Sequence, residues 1–245
     1  QVFNGNRNVL DENGIRFGIA SDNIQYVAND DDTIVAFVRE RDLWLYNKKT
    51  DELSQVFSFA NREGRDERSR NDQHAVRIIS MENSGSLAFA VYGYMNCGAH
   101  EGEVGVGIYY FNIDSSATEE KAFIPSTKSF AIAEDELGKM VYYNHSQEML
   151  YVLAAGSLYQ VDLEADKQNV LADGLEEGQY AVSDDGHLMA YQTDGTLYTA
   201  SEIKVMNLQN GDEFTIEAPE GQAVRPLGFV NSDFIYGKIN PADAG

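Results

Sequence analysis

Between Tyr92 and Gly107 the sequence crowds together side chains suited to binding. Tyr92, Tyr94, Asn96, His100, Glu101 and Glu103 fall there with Cys97, among glycines at 93, 98, 102, 105 and 107. Imidazole beside carboxylate supplies hydrogen-bond donors and acceptors and suits zinc or manganese. Glycine permits positive φ and close backbone approach. The segment is also long. Ala36 to Asn47 spans 11 positions, whereas Ala88 to Asn112 spans 24, an insertion of 13 between two strands of otherwise similar pattern. Insertions on rigid scaffolds often carry function. The plain structural reading is a hairpin extended beyond its sheet and turning at Gly98.

Several chemistries are excluded by their spacing. The glycines do not form G-x-G-x-x-G ahead of a helix, so no nucleotide fingerprint is present, and the H-E-x-x-H pattern of zinc enzymes is missing. The other histidines, His74, His145 and His187, fall in separate units of the chain. Asp30-Asp31-Asp32 offers oxygens for calcium but lacks the EF-hand spacing and stands where a turn is expected. No nucleophile elbow G-x-S-x-G occurs. No catalytic residue, cofactor or metal is therefore assigned. Glycoside hydrolysis needs only two carboxylates roughly 5–10 Å apart. With 40 acidic residues such a pair is inevitable, so its existence discriminates nothing.

Charge narrows the partners. The chain of 245 residues carries 40 Asp and Glu against 18 Lys and Arg, a net charge of −22. Phosphate backbones and anionic lipid surfaces repel such a protein, so nucleic acid is not expected as a partner. The arginine-rich run Asn61 to Asp72 matches four arginines with four acids and reads as a solvated connection. A single cysteine, Cys97, rules out an internal disulfide. No apolar run approaches the roughly 18 residues of a membrane helix. The chain begins at Gln1 without a signal-peptide pattern, as expected of a mature or excised fragment whose leader or tether lies upstream.

The elements that must position these side chains repeat. Four apolar stretches close on Asn or Asp: Leu43 to Asn47, Ile108 to Asn112, Leu158 to Asp162 and Ile203 to Asn207. Each is followed by a polar turn and a further short strand. Each is preceded by a buried-type strand: Ile34 to Phe37, Leu87 to Ala90, Leu188 to Tyr191 and, as a weaker version, Glu148 to Leu153. The closing residues lie 65, 50 and 45 positions apart, the period of a propeller blade with insertions. Four short strands per unit make a blade. The expected fold is all-β, a β-propeller of four-stranded antiparallel blades. Its units cover roughly 20–60, 74–126, 130–174 and 178–219, with a partial unit at 223–239, in one domain or a fragment of one. Val9-Leu10 and Ile15 to Ile19 are candidate closing strands, and Phe130 to Leu137 a short helical turn.

Ser183-Asp184-Asp185-Gly186-His187-Leu188-Met189-Ala190-Tyr191 resembles the S-P-D-G-x-x-[IL]-A-[FY] signature of TolB-like and WD40-like propellers, with Asp184 where that signature has Pro. Asn83 to Phe89 is a looser copy. The resemblance covers roughly residues 20 to 239 and implies fold only. The Gly-His and Trp-Asp marks of WD40 proteins are absent, which favours the TolB-like branch. The long, acidic, aromatic-rich units also resemble uncharacterised propellers of the Gram-positive cell envelope. The expected function is that of a non-enzymatic, extracytoplasmic binding or scaffold module. It would recognise a protein or small ligand through Tyr92, Tyr94, Asn96, His100, Glu101 and Glu103. A carbohydrate-active hydrolase with carboxylates converging on the propeller axis is the alternative.

Overall fold

The computed structural model describes residues 25–59, 73–126 and 140–243, together with the backbone of 8–10 and 16–18. The chain divides into two compact units, Gln1–Asp135 and Glu136–Gly245. The fold is all-β and built of propeller blades, each a meander of four antiparallel strands.

In the first unit β1 (Asn8–Leu10) pairs with β2 (Arg16–Gly18). The first blade is β3 (Tyr26–Ala28), β4 (Ile34–Arg39), β5 (Asp42–Asn47) and β6 (Glu52–Phe57). The second is β7 (His74–Met81), β8 (Leu87–Tyr94), β9 (Val104–Asn112) and β10 (Ala117–Pro125). In the second unit come β11 (Met140–Asn144), β12 (Met149–Ala154), β13 (Ser157–Asp162) and β14 (Lys167–Ala172), then β15 (Tyr180–Val182), β16 (Leu188–Gln192), β17 (Glu202–Asn207) and β18 (Glu213–Glu217). The two-stranded sheet of β19 (Ala223–Val230) and β20 (Asp233–Ile239) comes last. The four strands expected to close on Asn or Asp are β5, β9, β13 and β17, each third in its blade.

Those closing residues have a physical job. The Oδ1 of Asn47 accepts from the amides of Lys49 (2.9 Å) and Thr50 (3.3 Å). Asn112 accepts from Ser115 (3.0 Å), Asp162 from Glu164 and Ala165 (3.1 and 2.8 Å), and Asn207 from Gln209 and Asn210 (2.9 and 3.3 Å). Each side chain thus stands in for backbone and nucleates the turn into the outer strand. Four positions later each turn passes through positive φ: Asp51 (56°), Ser116 (51°), Asp166 (51°) and Gly211 (80°). Only the last is glycine, and the left-handed region costs other residues about 1 kcal/mol. Ser116→Gly is accordingly expected to raise unfolding stability by about 0.5–1 kcal/mol, read in a denaturant melt.

The resembled signature is a turn of the same kind. The Ser183 hydroxyl donates to Asp185 (2.6 Å) and accepts from the Leu188 amide (3.0 Å), while Gly186 takes φ +77°. Asp184 replaces Pro at a position where a type I turn tolerates most residues.

Blades are joined by buried apolar faces and by side-chain amides. In the first unit Ile34, Leu43 and Leu45 of one blade meet Ile78, Leu87, Phe89 and Val91 of the next. The Gln25 side chain both donates to the Ile78 carbonyl (3.2 Å) and accepts from its amide (3.1 Å). Asn29 donates to the Asn83 carbonyl at 3.1 Å. The second unit repeats the device with Asn144, which donates to the carbonyls of Leu208 (3.3 Å) and Gln209 (2.6 Å). Gln192 donates to the Val224 carbonyl at 2.8 Å.

Candidate functional site

The long insertion is an ordered hairpin. The β8–β9 ladder continues through Gly93↔Gly105 to Tyr94↔Val104. Beyond it the Met95 amide donates to the Glu103 carbonyl and the Gly102 amide to the Met95 carbonyl, both at 2.9 Å. Met95 is 1% exposed, which anchors the base of the tip in the core. The glycines divide by task. Gly98 (φ +95°) and Gly102 (φ +89°) turn the chain. Gly105 and Gly107 lie in β9 and are needed for clearance: a Cβ on Gly105 would stand 2.3 Å from the Ile124 carbonyl oxygen, and one on Gly107 would stand 2.6 Å from the Tyr109 ring.

His100 is the hub. Its ring stacks on Phe123 with centroids 3.8 Å apart and planes 13° from parallel. Its Nε2 lies 3.0 Å from Glu120 Oε1 and its Nδ1 3.3 Å from Glu103 Oε1. A ring protonated on both nitrogens satisfies both carboxylates; a neutral one can donate to only one. Glu120 also accepts from the Tyr109 hydroxyl at 2.9 Å. Burial, followed by that bond and the charge of Glu120, pushes the Tyr109 phenol well above its ordinary range. Tyr109 therefore serves as a neutral donor. The tip is pinned to β10 by one imidazole.

The six residues singled out by sequence are not equivalent. Tyr92 is buried, 3% exposed, and faces the core rather than solvent. Tyr94 and Asn96 are half-buried, and the Asn96 amide nitrogen is buried without a hydrogen-bond partner among the described residues. His100 joins Glu103, while Glu101 is exposed. The site thus gathers His100, Glu103 and, unforeseen, Glu120, Tyr109 and Phe123. Among the described residues no group of three or more His, Cys, Asp or Glu is placed to hold a metal ion.

Cys97 is exposed at the tip. Partial burial, then the charge of Glu101, raises its thiol above the ordinary value. Glu101→Gln is expected to quicken maleimide labelling at pH 7.5 about twofold by releasing thiolate. An unchanged rate would place the Glu101 carboxylate away from the sulfur.

Other candidates are absorbed by local structure. Asp31 accepts from the Thr33 amide and hydroxyl and meets Lys49 Nζ at 3.3 Å. The Thr33 hydroxyl is the main cause holding its carboxyl below the usual range. His145 and His187 each sit against a carboxylate of their own turn, Glu148 at 3.4 Å and Asp185 at 2.6 Å. Asp42 is raised by burial, opposed by hydrogen bonds from Ser58 and Gln55. The arginine run Asn61 to Asp72 and the helical turn expected at Phe130 to Leu137 lie outside the described residues.

Sequence reading missed a second long loop. The second and third strands are joined by two residues in the first and third blades, Glu40-Arg41 and Ala155-Gly156. In the fourth blade Thr193 to Ser201 lie between β16 and β17. Its signal was available: Ala190 to Asn207 spans 17 positions against 11 in the first blade. Asp194 organises this loop, accepting from the Ser201 amide (2.8 Å) and hydroxyl (2.6 Å).

No protein-family model matches the chain, and no curated protein does. Among solved structures it is similar to dipeptidyl peptidase 4 of Porphyromonas gingivalis, with a TM-score of 0.49 and 12% identity over 88% of this chain and 34% of that one. It is similar to TolB from Acinetobacter baumannii, with a TM-score of 0.41 and 11% identity over 96% and 58%. It is also similar to an oligogalacturonate lyase in complex with manganese, with a TM-score of 0.41 and 13% identity over 78% and 46%. The chain therefore spans less than two thirds of the length of each. These are likenesses of fold, and the propeller blades themselves are read from this chain's own sheets.

Proposed function

We propose that the chain is a non-enzymatic, extracytoplasmic binding module of the cell envelope that recognises a basic protein partner through the tip of the second-blade hairpin. The carrying observation is the contrast within residues 95–103. The base is held by Met95 and by His100 between Glu103 and Glu120, while Cys97, Gly98, Ala99, Glu101 and Gly102 stand exposed. A pre-ordered tip loses little conformational entropy on binding. A net charge of −22 steers basic partners towards it. The resemblance of the long, acidic, aromatic-rich units to propellers of the cell envelope supports the compartment.

Met95 and Glu103 already pair, so replacing Asn96–Gly102 by Asn-Gly closes the hairpin with a favoured two-residue turn. In affinity capture from envelope extract, the parent protein is expected to retain a basic partner that elutes at raised salt. The shortened variant loses it with the melting temperature maintained, and Glu101→Gln weakens it. Equal recovery by parent and shortened protein removes the hairpin from recognition.

A further inference from the structure

Arg225 is an anomaly of charge. The chain holds more than two acids for every base, yet among the described residues this guanidinium has neither an ion pair nor a hydrogen bond. It is half-buried in β19, and its Nε is fully buried without a partner. Glu176 and Glu177, next to Gly178 in sequence, are exposed. A buried donor left unmade costs about 1–3 kcal/mol, more for a charged group. Such a cost persists when a function retains the cation, whose terminal amino groups remain to meet a ligand.

The surroundings hold the guanidinium in place. Its central carbon lies 5.8 Å from the centroid of the Tyr198 ring. Tyr198 is 42% exposed, at the tip of the long fourth-blade loop. Gly178 stands on another side at φ +88°. A Cβ there would be 3.0 Å from Arg225 Nη2 and 3.1 Å from Leu197 Cδ1. Gln192, itself 3% exposed, ties the loop to β19 by donating to the carbonyls of Leu197 (3.2 Å) and Val224 (2.8 Å). The loop that carries the ring and the strand that carries the cation are thus fastened by this buried amide and by the Val224 N–H, which donates to the Ala200 carbonyl at 2.9 Å.

We propose that Arg225, seated against Gly178 and beside the Tyr198 ring, is a binding site for a carboxylate-bearing ligand with a flat apolar part. The guanidinium fork matches a carboxylate in two parallel hydrogen bonds. The exposed tyrosine gives a face for a planar group beside it. A monoanion is selected over phosphate because the strongly negative chain repels a dianion more. This site is independent of the hairpin proposed for partner recognition.

Benzoate carries both features and is the probe. Protein labelled with nitrogen-15 is titrated with benzoate, benzyl alcohol and inorganic phosphate while the Arg225 Nε–H resonance is followed. Benzoate is expected to produce a saturable shift, with no saturable response to benzyl alcohol and a weaker one to phosphate. Arg225→Gln should weaken benzoate binding, read by ligand saturation transfer, by about tenfold or more, the worth of a charge-assisted pair. Tyr198→Ala should weaken it by a smaller factor. No saturable response in the parent, equal response to benzyl alcohol, phosphate binding as tight as benzoate, or undiminished binding in Arg225→Gln each overturns the proposal. Should Arg225→Gln fail to fold, the contrast among the three probes in the parent protein decides it.

Discussion

Gly105→Ala is expected to destabilise the protein by about 3 kcal/mol, the upper part of the ordinary range for overpacking. The reason is which atoms the new methyl meets. Its site lies 2.3 Å from the Ile124 carbonyl oxygen, 3.1 Å from the Ile124 carbonyl carbon and 2.7 Å from Phe123 Cζ. A clashing side-chain tip can rotate away; a strand backbone cannot. Gly105 sits in the interior strand β9, opposite Gly93 of β8 and Pro125 of β10, so relief requires lifting the outer strand from its ladder. That strand carries Phe123, on which His100 stacks, and Glu120, which His100 meets at 3.0 Å. The substitution should therefore reach the hairpin tip as well as the stability. Denaturant unfolding measures the first effect, and the His100 ring resonances report the second. Gly98→Ala is the control. It has φ +95° but no atom within 4 Å of the added methyl, so it should cost only about 1–2 kcal/mol of backbone strain. If Gly105→Ala were as mild as Gly98→Ala, the close approach of β10 to β9 would be wrong.

His74→Phe is expected to remove an acid weakness from the fold. His74 is 1% exposed in β7, and neither ring nitrogen has a hydrogen-bond partner among the described residues. Burial, partly offset by the nearby backbone of Arg41 and reinforced by the charge of its side chain, lowers its pKa from 6.5 to about 4. The Arg41 Nε donates to the His74 carbonyl oxygen at 2.9 Å. Because the folded value is depressed, the unfolded chain binds a proton between pH 6.5 and 4 that the folded chain does not. Stability therefore falls as the solution is acidified through that window and is unaffected by this group above it. The loss is about 2 kcal/mol at pH 5 and about 3 kcal/mol near pH 4. Phenylalanine keeps the edge contact with Phe59, whose ring lies 4.8 Å away at 68°, and buries no polar atom. At pH 7.5 the variant should be as stable as the parent or more so. At pH 5 it should lead by about 2 kcal/mol. Other groups titrate in both proteins, so the difference between the two curves isolates His74. Parallel stability curves from pH 7.5 to 4.5 would show that the imidazole is hydrated or paired when folded.

These two sites mark how far a sequence can be read. The blades were legible because their signals are short in range. Asn47, Asn112, Asp162 and Asn207 each bond amides two or three residues ahead, and each turn then enters positive φ at the fourth residue. Everything such a turn needs lies within five positions, so the repeat survives in the one-dimensional pattern. The same holds for Ser183 to Leu188, whose hydrogen bonds close within one turn. The alternation of buried side chains at the start of β5 and β17 is equally local, because successive residues on a strand face opposite ways.

The sites obeyed a different rule. Residues 92–107 were recognisable as unusual by length and glycine content, yet their chemistry was settled by strand register. Tyr92 falls on the buried side of β8. Glu120 reaches His100 from the neighbouring strand, beside an irregularity in the β9–β10 ladder between Glu120 and Ala122. One residue of slip there moves every side chain to the other face. Arg225, Tyr198 and Gly178 are scattered over 47 positions and meet because the Gln192 side chain and the Val224 amide fasten a loop to a strand. By itself the sequence determined the strands, the turns and the all-β blade. Only the tertiary structure decided which charges find partners, because an ion pair is set by register, bulges and packing between strands distant in sequence. That is why it leaves His100 between two carboxylates and Arg225 paired with none among the described residues.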